Sequence, residues 1–312
     1  MKILIVGDLH GRKPRIHYKD FDCIIQIGDV CDDRKIGPFW RKFFKKLKKA
    51  RDLDEAEKLN FMDFVDEEIG KYKFEEYKKE SLERGREIME YLNSFGKPVF
   101  FIPGNWDQSY GKTQVKDLDK SVYHHIKAHF DMFSGEKSNK KLVEGLENVI
   151  DCQMDTVDFN GVNIIGYGLV SGPELFSHKK KLKKRLSESQ VEKLQKANDR
   201  LISKVNNLFK KRDKKKPTIF LSHNVPYGTN LDVVKQKGSY AEGKHLGSSV
   251  ARKMCLKFNP LLCIGCHVHE GEGTDKLGKT KVVNTGFGRD AQILLDLDEK
   301  KGKIKKLEFW RS

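Results

Sequence analysis

Two imidazoles one residue apart, His267 and His269, follow directly on the apolar run Pro260 to Ile264 and the pair Gly265-Cys266. Such side chains at the end of a strand are placed to ligate a metal, since neutral imidazole nitrogens are good donors to borderline divalent ions. The same event, an apolar run of strand length that stops at a metal-binding side chain, recurs along the chain. Lys2 to Val6 ends in Gly7-Asp8-Leu9-His10, and Cys23 to Ile27 ends in Gly28-Asp29. Pro98 to Ile102 leads to Gly104-Asn105-Trp106-Asp107, and Thr218 to Leu221 to Ser222-His223-Asn224. On an open α/β sheet, ligands gather outside the carboxyl ends of the strands. Asp8, His10, Asp29, Asn105, His223, His267 and His269 are therefore read as one constellation, although an isolated Asp-x-His would be no more than a solvated turn.

The elements that must position these residues follow from the patterning. Between Cys31 and Gly96 lies a largely helical, highly charged stretch, whereas a crossover between parallel strands needs only about a dozen residues. Part of it is an insertion. Phe39, Trp40, Phe43, Phe44 and Leu47 recur at helical spacing and predict an amphipathic helix that packs on the body or caps it. A helix from about Phe74 to Asn93, stopped by Gly96, should return the chain to the strand at Pro98. His124, His125 and His129 fall in a further predicted helix, where surface histidines explain them better than a zinc site does. Met154 to Phe159 and Val162 to Ile165, joined by Asn160-Gly161, predict a hairpin with a type I′ turn. A second charged helical segment runs from about Pro173 to Lys216, with Val191, Leu194, Leu201, Ile202, Val205 and Leu208 as its apolar stripe. Lys281 to Asn284 reads as a strand, and Gln292 to Asp296 with Ile304 to Phe309 as an antiparallel pair.

Composition bounds what such a site can serve. The chain has 312 residues, of which 34% are charged and 38% hydrophobic, which describes a globular protein. No apolar run approaches a spanning length, and the first residues, Met1 to Val6, already form a strand, so a cytoplasmic protein without a membrane is expected. The six cysteines are dispersed and read as free thiols. A net charge of +16, clustered at Arg41 to Arg51, Lys179 to Arg185 and Lys210 to Lys216, keeps nucleic acid open as a partner. Abundant Lys and Glu on helix faces is also the surface of a thermophile, and that reading is favoured.

Asp8-x-His10, Gly28-Asp29, Gly104-Asn105-x-Asp107, His223 and His267-x-His269, in this order, resemble the calcineurin-like metallophosphoesterases. Tyr227 to Asp232, His245-Leu246-Gly247-Ser248 and Asn284-Thr285-Gly286 are similar to a microbial subgroup of predicted phosphoesterases. The resemblance implies an α/β (α+β) fold, a four-layer sandwich of two mixed β-sheets flanked by helices, with the metal site at one rim. The whole chain would form one domain, carrying charged helical insertions at about 34–73 and 174–216. Asp8, His10 and His269 would hold one divalent ion, Asn105, His223 and His267 the other, and Asp29 would bridge them. Manganese, iron, zinc, cobalt or nickel fits these donors, with manganese favoured. Such a pair of ions can bind a phosphoryl group and acidify a water into a hydroxide nucleophile. The expected activity is hydrolysis of a small phosphodiester or phosphomonoester, with a nuclease as the alternative. Turnover is expected to depend on Asp29, Asn105 and His267, and substrate to meet Asn105 and His245.

Two departures from the family pattern carry expectations of their own. Where many members have a His beside the Asn, to protonate the leaving oxygen, this chain has Trp106, which is no acid. Loss of such a group is worth about 10²–10⁴-fold in rate, so easily departing groups, or another acid such as His245, are expected. Cys266 stands where the family usually has Gly before the histidines. With Cys263 it spells Cys-x-x-Cys, but Cys263 should point away into the core.

Overall fold

The computed structural model describes residues 1–49, 59–107, 142–168, 188–237 and 242–310. The first sheet contains β1 (Lys2–Val6), β2 (Cys23–Gln26), β3 (Val99–Phe101), β4 (Val149–Asp151), β11 (Gln292–Asp298) and β12 (Lys303–Phe309). Its spatial order is β12-β11-β1-β2-β3-β4; β1 to β4 run parallel, and the expected antiparallel pair β11–β12 joins along the other side of β1. The second sheet contains β5 (Thr156–Phe159), β6 (Val162–Tyr167), β7 (Thr218–Asn224), β8 (Leu262–Cys266), β9 (Gly273–Leu277) and β10 (Thr280–Asn284). In the order β5-β6-β7-β8-β10-β9, its four central strands are parallel and its edges antiparallel. Both sheets are thus mixed, as expected.

Alternation along the strands decides the layering. Ile3, Ile5, Ile25 and Phe100 of the first sheet meet Ile164, Ile219, Leu221, Ile264 and Val283 of the second, forming a core between the sheets. Leu4, Val6, Ile24, Val99 and Phe101 face the other way, toward α1 (Gly37–Lys49), α2 (Phe61–Ile69) and α3 (Lys71–Asn93). On the far side, Ile165, Phe220, Cys263 and Val282 pack on α4 (Glu188–Lys211) and α5 (Ser249–Phe258). Strands buried on both faces read as continuous apolar runs, and each fully buried large side chain contributes about 1.5–3 kcal/mol. Helix, sheet, sheet and helix therefore make four layers. Among the described residues, no helix is long and apolar enough to cross a membrane.

Local expectations mostly hold. Asn160 and Gly161 both have positive φ, 47° and 78°, as a type I′ turn requires. The helix expected from Phe74 begins three residues earlier, at Lys71, because Gly70 at φ 79° turns α2 directly into α3. Trp40 and Phe43 of the predicted amphipathic helix stack on and abut Phe61, so part of the charged segment 34–73 belongs to the outer core. Leu201, Val205 and Leu208 of the second stripe are buried against the second sheet. His124, His125, His129 and Lys179 to Lys184 lie outside the described residues. One boundary is corrected: β7 does not stop at Leu221 but runs to Asn224, so His223 lies inside a strand whose register to β8 shifts between Leu221 and Asn224.

Candidate metal centre

The carboxyl ends of β1, β2, β3, β7 and β8 converge where the two sheets meet at one rim. Three of the residues there, His10, Asp29 and His267, have φ of 45°, 53° and 58°. Left-handed backbone at non-glycine residues is sparsely populated and collects at functional sites. The turns after β2 and β3 are pressed together: a Cβ on Gly28 would lie 2.3 Å from Gly104 N, and one on Gly104 would lie 2.2 Å from Asp29 Oδ1. Only glycines allow Asp29 and Asn105 to stand side by side.

Two groups of donors result. Ligand atoms of Asp8, His10 and His269 lie within 4.8 Å of one another, and so do those of Asp29, His223 and His267. Between the groups stands Asp29 Oδ2, 3.5 Å from His10 Nε2 and 3.4 Å from His223 Nε2. The Asn105 amide head lies 3.2 Å from His223 Nε2 and 3.0 Å from His267 Nδ1. His269 Nε2 is 3.4 Å from Asp8 Oδ2. His223 turns its other nitrogen, Nδ1, to the Ile27 carbonyl at 2.7 Å, which leaves Nε2 as its donor to the site, the arrangement typical of metal-ligating histidines.

Cation chemistry fits this set. The His10 ring is buried, and its nitrogens face Asp33 Oδ1 at 3.3 Å and Asp29 Oδ2 at 3.5 Å without an aligned hydrogen bond to either. With its oxygen toward the imidazoles, Asn105 faces acceptors only; reversed, its amino group donates to His223, His267 and Asp29 while its oxygen accepts from Trp106 Nε1 at 3.2 Å. A divalent ion selects the first orientation, a metal-free site the second.

Electrostatics agree. Burial acts to raise the Asp8 and Asp29 carboxyls, but the neighbouring imidazoles, His223 foremost, outweigh it and hold both below the usual carboxylate range. Burial would lower His10, yet the carboxylates of Asp33, Asp29 and Asp8 push it up to about 9. His223 is raised in the same way, by Cys266, Asp29 and Asp8 acting against burial. Burial and the charge on His223 press His267 down to about 3. Without an ion, protons on His10 and His223 thus balance the carboxylates, the place a cation would take.

Around the donors stand residues of a supporting layer. Buried Asp107 accepts backbone N–H bonds from Val30, Cys31 and Gly104, tying the Asp29 turn to the Asn105 turn. Trp106 donates its backbone N–H to Asp29 Oδ1 at 2.8 Å. His245 is not gathered with the donors; its Nδ1 pairs with buried Asp232 at 2.7 Å, and its side chain is 39% exposed. Several neighbours were not anticipated from sequence. Asp33 Oδ1 lies 3.3 Å from His10 Nδ1, and the acidic pair Asp32-Asp33 just after Asp29 was a usable signal. Phe287, 38% exposed, stacks on His269 at 4.2 Å, and the Arg12 guanidinium lies 4.7 Å from the Phe287 ring centre. Cys266 bonds Asp8.

The family model described as calcineurin-like phosphoesterase matches residues 1–271, a span that contains every one of the seven candidate ligands. No curated protein matches the chain significantly. Among solved structures, one superposes with a TM-score of 0.54 at 19% identity, covering 99% of both chains. TT1561 of Thermus thermophilus has a TM-score of 0.46 at 15% identity, covering 99% of this chain and 98% of the other. A phosphopantetheinyl hydrolase from Mycobacterium tuberculosis has a TM-score of 0.42 at 11% identity, covering 92% and 89%. At 19% identity the first likeness concerns the fold alone.

Proposed function

This chain belongs to the calcineurin-like phosphoesterase family, and we propose that it is a dinuclear metal-dependent hydrolase of a small phosphodiester or phosphomonoester. The observation that carries the proposal is Asp29, whose Oδ2 lies within 3.5 Å of an imidazole from each donor group. Asp8, His10 and His269 would hold one ion, Asn105, His223 and His267 the second, and Asp29 both. Oxygen donors from Asp8, Asp29 and Asn105 beside four imidazoles suit manganese, iron, cobalt, nickel or zinc, of which manganese is favoured. When bound, the ions would neutralise phosphoryl charge and make water nucleophilic at neutral pH.

The residues of the chain then have separable tasks. Trp106 N–H holds Asp29 Oδ1 and so keeps Oδ2 turned to both groups. Asn105 presents its amide to the metal side and, at its edge, to substrate. His245, oriented by Asp232 so that Nε2 is left outward, is assigned to the leaving-group side of the substrate. The chain is read as one domain whose helical segments at about 34–73 and 174–216 shape access to the rim. Because Trp106 offers no acidic proton, rates should fall steeply as the leaving group becomes more basic.

The test is a metal-supplemented screen of nitrophenyl monoesters and diesters, alkyl phosphoesters, nucleotides and oligonucleotides, paired with elemental analysis. Two ions per chain and chelator-sensitive turnover of a small ester are expected. A single ion at full activity would end the dinuclear reading, and preference for oligonucleotides with steep salt dependence would replace the substrate class with nucleic acid.

A further inference from the structure

The two carboxylate oxygens of Asp8 have different surroundings. Oδ2 accepts the His267 backbone N–H at 2.9 Å and faces His269 Nε2 at 3.4 Å. Oδ1 turns beneath the rim, where the Cys266 thiol donates to it at 2.6 Å. Cys266 is the last residue of β8 and is fully buried on the inter-sheet side, whereas Cys263 of the same strand faces α4 and α5. That separation onto opposite faces excludes a pairing of the two thiols, and all six cysteines are free. The thiol therefore has a different task.

We propose that Cys266 is a positioning residue: its S–H fixes the rotation of the Asp8 carboxylate, so that Oδ2 alone is offered to an ion. The proposal rests on the reading that Asp8 is a metal ligand. A competing geometry exists, because Asp8, His223 and Cys266 could themselves surround an ion, their ligand atoms lying within 4.8 Å of one another. Distances decide against it. An ion about 2.3 Å from sulfur and about 2.0–2.2 Å from oxygen in tetrahedral geometry separates the two by about 3.6 Å, far more than the 2.6 Å between Cys266 Sγ and Asp8 Oδ1. His223 Nδ1, the nitrogen on that side, is moreover engaged with the Ile27 carbonyl at 2.7 Å. At that separation no ion stands between thiol and carboxylate, and the other polar neighbours of Cys266 Sγ, the Ile27 carbonyl at 3.5 Å and His223 Nδ1 at 3.4 Å, lie farther off than Asp8.

A glycine at this position would leave Oδ1 free to rotate or to bind an ion together with Oδ2. The thiol removes that freedom while, as a weak donor, withdrawing little charge from the carboxylate. Partners of metal ligands typically affect metal affinity by about 10–100-fold, and this is the size of effect expected at one of the two ions.

The test uses the full chain, stripped of metal and titrated with Mn²⁺ or Co²⁺, with circular dichroism as the check of folding. The unmodified chain should take up two ions and its cobalt form should lack a thiolate-to-cobalt charge-transfer band. Cys266→Ala should bind one ion about 10–100-fold more weakly and the other unchanged. Cys266→Ser, which keeps a donor, should hold both within a few-fold of the unmodified chain. Equal affinities in the Ala variant, or loss of the ion in the Ser variant as well, would overturn the proposal. So would a charge-transfer band that disappears in the Ser variant, since it would make Cys266 a ligand; this measurement stands even if the Ala variant does not fold. Uptake of fewer than two ions by the unmodified chain would instead undo the dinuclear function itself.

Discussion

Each half of the candidate centre pairs two buried donors with one that is partly exposed, but their histidines are anchored differently. His223 sits inside β7, fully buried, with its ring fixed by the Ile27 carbonyl, and its half is closed by Asn105. In the other half, His269 follows β8 on a short 3-10 turn, its side chain 37% exposed and stacked on the face of Phe287. A ligand inside a strand inherits the rigidity of the sheet, whereas one on a turn moves with its loop. It follows that one ion should be held for the lifetime of the fold and the other should exchange.

Asp29 Oδ2 lies within 3.5 Å of a histidine from each half, so its replacement should remove the comparison altogether. Asp29→Asn should take away the shared negative charge and lower kcat by far more than the roughly 10–100-fold typical of a supporting residue. Elemental analysis should find fewer than two ions on a chain whose circular dichroism is unchanged. Two tightly held ions in this variant would show that the halves do not share a ligand.

Next in size are the single histidines, which separate the halves. His223→Ala should lose the deep ion outright, leaving one ion and no measurable turnover. His269→Ala should keep the deep ion and merely weaken the outer one, so that excess Mn²⁺ restores part of the activity. Metal titration followed by activity measures both. Equal loss in the two variants would erase the distinction between a deep and an outer half.

What sequence makes legible here is the set of donors, because an apolar run ending in Asp, Asn or His is a local signal. The layers follow for the same reason: runs such as Lys2 to Val6 and Leu262 to Cys266 are apolar on both faces and must be covered on both. Depth is not local. His223 looks like a residue beyond its strand, yet β7 continues through it because β6 still pairs at Ser222 and β8 at Asn224. The contacts of Cys266 with Asp8, 258 residues apart, and of Phe287 with His269 arise only from the closing of the two sheets on each other. The acidic pair Asp32-Asp33 marks the stretch after Asp29, but nothing in its spacing singles out Asp33.

A smaller effect concerns protons, and it should treat the two halves alike. His10 is raised to about 9 by neighbouring carboxylates, and His223 is raised as well, by Cys266, Asp29 and Asp8. In the metal-free chain the charge on His10 therefore contributes stability that is fully present below its unfolded value, near 6.5, and is lost as pH rises through about 9. An ion requires the neutral ring, so the sign reverses for binding: metal affinity should weaken as pH falls below about 9, with a proton released from each half on loading. Calorimetric titration in buffers of different ionisation heat counts these protons. Release confined to one half would make the difference between the halves electrostatic as well as mechanical.

The smallest expected change sits on the exposed side. Phe287 stacks on His269 with an interplanar angle of 10° and meets His10 edge-on at 5.3 Å, while Arg12 lies over it, held also by the His10 carbonyl at 3.3 Å. An aromatic pair of this kind contributes about 0.5–1.5 kcal/mol beyond the area it buries, equivalent to about two- to tenfold in an equilibrium constant. Phe287→Leu keeps an apolar cover but gives up the stacking, so the outer ion should bind about two- to tenfold more weakly. The deep ion, whose histidines do not touch this ring, should be unaffected. Stepwise Mn²⁺ titration reads the two separately. A loss shared equally by both ions would mean that the ring supports the whole rim, and the outer half would then owe its looser hold to the exposure of His269 rather than to what holds its ring.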